Sequence, residues 1–172
     1  MSVIVIPKFK IKGEYLSYLK EIQSNEKKLF DRAIFEHYEG CYNLLKSWGY
    51  EDKICTFGLF HSVYERHIFQ HNEPNEHNRK KLAKLIGNEV ERLIFKWDSM
   101  DRRSYITDLI DHPEKQIKND PFVVMIWANI FEQAISNNKP TNGKEVFSKT
   151  IHLVDEKPAG TFLKLSEEGL II

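Results

Sequence analysis

Apolar residues recur at spacings of three and four along several segments, and this spacing is typical of one buried face of an α-helix. Two of these faces carry a histidine near the middle. They consist of Phe30, Ile34, His37, Cys41, Leu44 and Trp48, and of Ile54, Phe57, His61, Tyr64 and Ile68. The pattern predicts helices over residues 13–25, 26–49, 52–69, 79–87, 88–100 and 121–136. The chain is therefore expected to be all-α.

Glycine, proline and capping residues mark where these helices begin and end. Gly49 is expected to close the second helix, and Pro121 suits the first turn of the last one. Asn88, with Glu91 three residues later, forms a capping pair that restarts a helix after Gly87. The helix boundaries are therefore marked by local signals as well as by periodicity.

The last part of the chain has a different composition. From residue 137 onward Pro, Gly and Asn dominate, which indicates turns and loops rather than long helices. Two short apolar groups, "FLKL" and "GLII", are expected to dock against the rest of the protein. We therefore predict a helical bundle domain at residues 1–136 and an irregular C-terminal tail at residues 137–172 that packs on it.

The charge balance and the cysteine content narrow the classes of function. The chain has 25 basic and 25 acidic residues, so no net field attracts it to nucleic acid or to an anionic membrane. Cys41 and Cys55 lie in apolar helical patterns and are expected to be reduced, packed thiols. The apolar run near the first residue is too short for a signal or membrane-spanning segment. We expect a cytoplasmic protein without a nucleic-acid or membrane partner.

Three polar residues interrupt the predicted buried faces: His37, His61 and Asn129. A histidine in such a position can be a core residue whose hydrogen bonds are satisfied. Two histidines at the midpoints of successive helices point instead to a shared site, because a short turn brings the midpoints of antiparallel helices together. We predict that the two imidazoles lie within about 8 Å of each other, a distance that one ion or a small polar cluster can bridge. A metal ion or an anion would offset the desolvation of the buried rings.

Glu65 follows His61 by one helical turn on the same predicted face. Its carboxylate could orient an imidazole, act as a general base or bind a cation. Alternatively, Glu65 could be exposed near the end of the helix and pair with Arg66 or Lys53.

These residues resemble the motifs of the HD superfamily of metal-dependent phosphohydrolases, including those of the hydrolase domain of the enzymes that make and degrade guanosine tetraphosphate. His37 matches the family's first histidine, and "HSVYER" matches its His-Asp-x-x-Glu-Asp motif. In this match Ser62 takes the place of the Asp, Glu65 that of the Glu and Arg66 that of the second acid. "WANIFEQ" matches the late Ala-Asp pair, with Asn129 in place of the Asp. The pattern is closest to an uncharacterised HD-like branch that has His-Ser instead of His-Asp.

The resemblance, which spans residues 28–133, implies an HD-like helical bundle in which the late helix brings Asn129 to the pair of histidines. In the family, two histidines and two aspartates bind a divalent metal that activates a water for attack on phosphorus. Ser62 and Asn129 are neutral, so a hard ion such as Mn²⁺ or Mg²⁺ should bind more weakly here than in the family.

Three functions fit these observations. The first is a divergent metal-dependent enzyme, a phosphohydrolase or an iron oxygenase, in which His37, His61 and Glu65 hold Fe²⁺ or Mn²⁺. Its substrate would be a nucleotide or a small phosphorylated metabolite. The second is a metal-free module that binds an anionic small molecule or a protein partner; its candidate residues are His37, His61, Ser62, Asn129, Arg66 and Arg102. The third is an interaction domain whose polar residues only form a buried hydrogen-bond network. We favour the enzyme.

Overall fold

The structure is a computed structural model of the chain, and it describes residues 4–22, 28–29, 32–65, 69 and 72–172. It confirms the all-α fold class. The helices are α1 (Gly13–Glu21), α2 (Ile34–Trp48), α3 (Asp52–Phe60), α4 (Glu76–Ile86), α5 (Asn88–Ser99), α6 (Arg102–Asp111), α7 (Pro121–Asn137), α8 (Lys144–Thr150) and α9 (Glu156–Glu167), with 3₁₀ turns at Pro113–Lys115 and Ile151–Leu153. Within the described ranges, paired strands are limited to β1 (Lys28–Leu29) and β2 (Arg32–Ala33), which are antiparallel. None of the helices in these ranges is long and apolar enough to cross a membrane.

The chain forms two compact units. One comprises Pro7–Ser99, and the other comprises Met1–Ile6 with Met100–Ile172. Helices α1 to α5 therefore belong to the first unit and α6 to α9 to the second. This division lies at a different place from the boundary at residue 136 expected from the sequence, and the assignment of functional domains stays a prediction.

Helices α2 and α3 form an antiparallel pair around a tight turn. Gly49 ends α2 with φ 90°, as predicted, and the amides of Gly49 and Tyr50 donate to the carbonyls of Lys46 and Leu45. Glycine is favoured there because other residues rarely adopt a positive φ. The two helices approach closely at Gly58, where an added Cβ would overlap Cδ1 of Leu45. This close packing brings the middle of α2 to the end of α3.

Helix α3 is shorter than the sequence predicts, since it ends at Phe60 rather than at residue 69. The chain continues in turns, in which the Val63 amide donates to the Phe60 carbonyl and the Glu65 amide to the Ser62 carbonyl. Tertiary hydrogen bonds stabilise this departure from the helix. Asn72 Nδ2 donates to the Val63 carbonyl over 2.7 Å. Residues 66–68 lie outside the described part of the chain.

The expected break at Gly87 is confirmed, because Gly87 separates α4 from α5 with φ 92°. The predicted capping role of Glu91 is wrong. Its carboxylate accepts hydrogen bonds from Arg79 and Tyr64 instead of from the backbone at the start of α5. A buried carboxylate binds a guanidinium and a phenol more strongly than a single amide, and this explains the difference.

The C-terminal segment is not irregular as predicted, because α8, a 3₁₀ turn and α9 account for most of it. Short apolar faces explain this outcome. The ring of Trp127 on α7 packs on Phe147 of α8 with a centroid distance of 5.0 Å and on Phe162 of α9 with a distance of 5.9 Å. Helices this short depend on tertiary packing rather than on helix propensity, so their composition was a poor guide. Pro121 begins α7, as expected, behind the capping carboxylate of Asp120.

Candidate metal centre

The two histidines of the predicted site lie side by side in the first unit. His37 comes from the first half of α2, and His61 is the first residue after α3. Their ring centroids are 5.1 Å apart and their planes are nearly perpendicular, at 83°. The side chains are buried, with exposures of 2% and 1%. The predicted separation of less than about 8 Å is confirmed.

The orientation of the His61 ring is set by the backbone of α3. Nδ1 of His61 lies 2.7 Å from the carbonyl oxygen of Gly58, so Nδ1 carries the proton and donates it to this oxygen. Nε2 therefore carries the lone pair of the neutral ring. Backbone carbonyls fix the tautomer of metal-binding histidines in the same way.

Cys41 is the third member of the cluster. One potential ligand atom from each of His37, Cys41 and His61 lies within 4.8 Å of the other two, and in the described part of the chain this is the one such group of three. The Cys41 sulfur is 3.8 Å from both ring nitrogens of His37. Because it is equidistant, the sulfur packs against the ring and is not aligned with either lone pair. In a tetrahedral zinc site these atoms would be about 3.6 Å apart, which is close to the 3.8 Å found here.

Sequence reasoning did not identify Cys41 as a candidate ligand. The prediction that both cysteines are reduced and buried is confirmed, since neither forms a disulfide. The missed signal was local: Cys41 follows His37 by four residues, which places both on one face of α2. Cys55 differs, because its thiol donates to the carbonyl of Tyr50 over 3.3 Å. Burial raises the pKa of the Cys55 thiol to about 12, which suits a structural residue.

Tyr38 packs directly against the cluster. Its ring lies edge-on to that of His61 with a centroid distance of 5.4 Å, and the residue has no exposed surface. Burial raises the pKa of Tyr38 well above its ordinary value, and the nearby Glu65 and Cys41 add to this effect. Within the described residues, the Tyr38 hydroxyl has no hydrogen-bond partner. The sequence analysis did not single out this residue.

Ser62 and Glu65 are joined to each other in the turn that follows His61. The Ser62 hydroxyl donates to Oε1 of Glu65 over 3.1 Å. Ser62 is buried, whereas Glu65 is partly exposed. Glu65 is not a member of the group formed by His37, Cys41 and His61. Its proposed role as a base or ligand, and that of Ser62 in ligand binding, stay predictions.

The other predicted site residues are placed differently. Asn129 lies on α7 in the second unit and is partly buried, as is Arg102 on α6. The expectation that Asn129 reaches the two histidines stays a prediction. Arg66 lies outside the described residues, so its role as an anion-binding residue also stays a prediction.

A buried polar network supports the turn that carries His61. Glu91 of α5 is 4% exposed. Its carboxylate accepts two hydrogen bonds from Arg79, of 2.7 and 2.9 Å, and one of 3.2 Å from the Tyr64 hydroxyl. The Arg79 guanidinium also lies 3.6 Å from the centroid of the Phe95 ring. Because Tyr64 belongs to the turn, this network links the turn to α4 and α5.

The comparisons with known proteins find a match to one family model over just under half of the chain, and they indicate no activity. Residues 18–102 match the family described as a domain of unknown function, DUF6817, and this span contains His37, Cys41 and His61. No curated protein and no solved structure matches the chain. The matched span ends just after α5, so it covers nearly all of the unit that holds the cluster.

Proposed function

We propose that the chain is a divergent HD-like metal-dependent hydrolase that holds one divalent transition-metal ion at His37, Cys41 and His61. Its substrate would be a nucleotide or a small phosphorylated metabolite. The observation that carries the proposal is the convergence of three buried ligand atoms within 4.8 Å of one another. The HD-like motif order and the balanced charge of the chain support the substrate class.

The donor set decides which metal fits. Two imidazole nitrogens and one sulfur suit Zn²⁺ and Fe²⁺, whereas Mn²⁺ and Mg²⁺ prefer carboxylate oxygen. Ser62 is neutral and donates its hydroxyl hydrogen to Glu65, so it supplies no anionic ligand. Of the two metals expected from the sequence, Fe²⁺ therefore fits and Mn²⁺ does not. Three protein ligands also leave a fourth position open, as in catalytic rather than structural zinc sites.

The residues near the cluster then have defined roles. A bound ion would acidify a water and polarise a phosphoryl oxygen. Glu65 would accept the proton of the attacking water, and Ser62 would hold Oε1 of that carboxylate in place. The bond from His61 Nδ1 to the Gly58 carbonyl would keep Nε2 unprotonated for the ion.

The two cysteines provide a matched test of metal binding. Both are buried thiols of the same unit, but only Cys41 belongs to the cluster. Untagged protein purified without chelators should contain close to one equivalent of zinc or iron by elemental analysis. C41S should lose this metal and C55S should retain it. Wild-type protein that contains no transition metal, and that takes up neither Zn²⁺ nor Co²⁺, would disprove the metal centre.

Hydrolysis requires a separate test. Metal-loaded protein would be screened with nucleotides and phosphorylated metabolites, and released phosphate would be measured. E65Q should abolish turnover but keep the metal, because Glu65 is proposed as the base and not as a ligand. The exposed Glu73, changed to Gln, is the control. Full activity in E65Q would exclude Glu65 as the base.

A second candidate is a metal-free HD-like module that binds an anionic small molecule or a protein partner. The neutral Ser62 favours it, because its hydroxyl donates to Glu65 and leaves the cluster without the carboxylate that the HD pattern has at this position. A thermal-shift screen with phosphorylated metabolites distinguishes the two. For the metal-free module, a ligand should raise the melting temperature equally in wild type and C41S.

A further inference from the structure

The hydroxyl of Tyr38 is a buried polar group beside the cluster to which the proposed function gives no role. Other buried tyrosines of the same unit have partners: the Tyr18 hydroxyl donates to Asn72 and the Tyr64 hydroxyl donates to Glu91. In the described part of the chain, the Tyr38 hydroxyl has none, although the residue has no exposed surface. An unsatisfied buried hydroxyl is destabilising, and a phenylalanine would fill the same space without this penalty.

The position of Tyr38 relates this group to the metal centre. Tyr38 follows His37 directly on α2, and Cys41 comes three residues later, which is nearly one helical turn. The Tyr38 ring packs against the rings of His61, at a centroid distance of 5.4 Å, and Phe69, at 6.4 Å. These ring contacts place Tyr38 beside the cluster, and its buried hydroxyl is a donor without an acceptor in the described part of the chain.

We infer that Tyr38 is a ligand-binding residue that donates its hydroxyl hydrogen to an oxygen of a phosphate group bound at the His37–Cys41–His61 cluster. The inference rests on the proposed function, because that cluster is where the phosphate group would be held. The inference goes beyond the proposed function by assigning the hydrogen-bond donor that the cluster lacks. A phosphate oxygen is a strong acceptor, and its arrival would satisfy the hydroxyl. The stability lost in the ligand-free state would thus be recovered as affinity.

The test uses full-length Zn²⁺-loaded protein and inorganic phosphate as the probe. Calorimetry would compare wild type with Y38F, and with Y64F as a control that removes a buried hydroxyl bonded elsewhere. Y38F should keep the stoichiometry and affinity of Zn²⁺ but bind phosphate about tenfold to a hundredfold more weakly, as expected for the loss of a hydrogen bond to a charged acceptor. Y64F should bind phosphate like the wild type.

The outcomes separate the inference from the function on which it rests. Wild-type protein that fails to bind Zn²⁺ overturns the proposed function. Wild-type protein that binds Zn²⁺ but not phosphate, or Y38F that binds phosphate as tightly as the wild type, overturns the inference alone.

The stability of the metal-free protein gives an independent readout. Y38F removes a hydroxyl that has no acceptor, so its melting temperature should equal or exceed that of the wild type. Y64F should melt at a lower temperature, because it removes a hydrogen bond to the buried Glu91. A clear drop in the melting temperature of Y38F would show that the hydroxyl has a partner without ligand, and this would also overturn the inference.

Discussion

Replacement of Glu91 by Gln tests whether the buried network stabilises the unit that contains the His37–Cys41–His61 cluster. Glu91 is 4% exposed and accepts three hydrogen bonds, two from Arg79 and one from Tyr64. E91Q keeps the size of the side chain but removes its charge. Its amide can still accept from Tyr64, but its NH₂ group must then face the donor Nη2 of Arg79.

The hydrogen bonds of Glu91 determine how much E91Q should lower the free energy of unfolding. Each hydrogen bond between charged groups contributes about 1.5–3 kcal/mol. E91Q weakens the bond from Arg79 Nε and loses the bond from Arg79 Nη2. The Arg79 side chain is 31% exposed, so it regains part of its hydration when the pair is broken. Removal of a partner from a fully buried pair costs about 3–5 kcal/mol. We therefore expect E91Q to lower the free energy of unfolding by about 2–4 kcal/mol, a large share of typical domain stability.

The assay is urea unfolding followed by circular dichroism, with the variants fitted to a common slope. E89Q is the matched control on the same helix. Glu89 pairs with Lys53, but the two side chains are 70% and 40% exposed. Such pairs contribute less than about 1 kcal/mol. If E91Q is no more destabilising than E89Q, the network does not stabilise this unit and the reasoning is wrong.

Two further predictions concern buried groups away from the cluster. The Thr150 hydroxyl accepts a hydrogen bond of 3.0 Å from Nε1 of Trp127, so T150V should lower the free energy of unfolding by about 1–3 kcal/mol, whereas the exposed T107V should have little effect in the same urea assay. Burial raises the pKa of the Cys55 thiol from 9.0 to about 12, so the native state keeps a proton that the unfolded chain loses. Stability should therefore fall as the pH rises from about 9 to 12, by at most about 1.4 kcal/mol per pH unit for this group. C55A should show a weaker pH dependence over that range, and an unchanged one would refute the assignment.

The positions of His37 and His61 could be predicted because they depend on local information. Helical spacing specifies which side chains face the interior, and the short turn closed by Gly49 makes α2 and α3 antiparallel. The helical spacing and this turn were enough to predict that the two rings are close together, and their centroids are 5.1 Å apart. Cys41 lies on the same predicted helix face, four residues after His37. Its apolar neighbours suggested a packed core residue rather than a metal ligand.

Where polar groups find partners far along the chain, only the tertiary structure decided the outcome. Helix α3 ends at Phe60 because the turn after it forms hydrogen bonds with Asn72 and Glu91, which lie 9 and 27 residues from their partners Val63 and Tyr64. Periodicity describes which face of a helix is buried, but it contains no information about which distant donor will meet a given acceptor. The capping assignment of Glu91 failed for this reason, because a strong partner on another helix competed successfully with the nearby backbone.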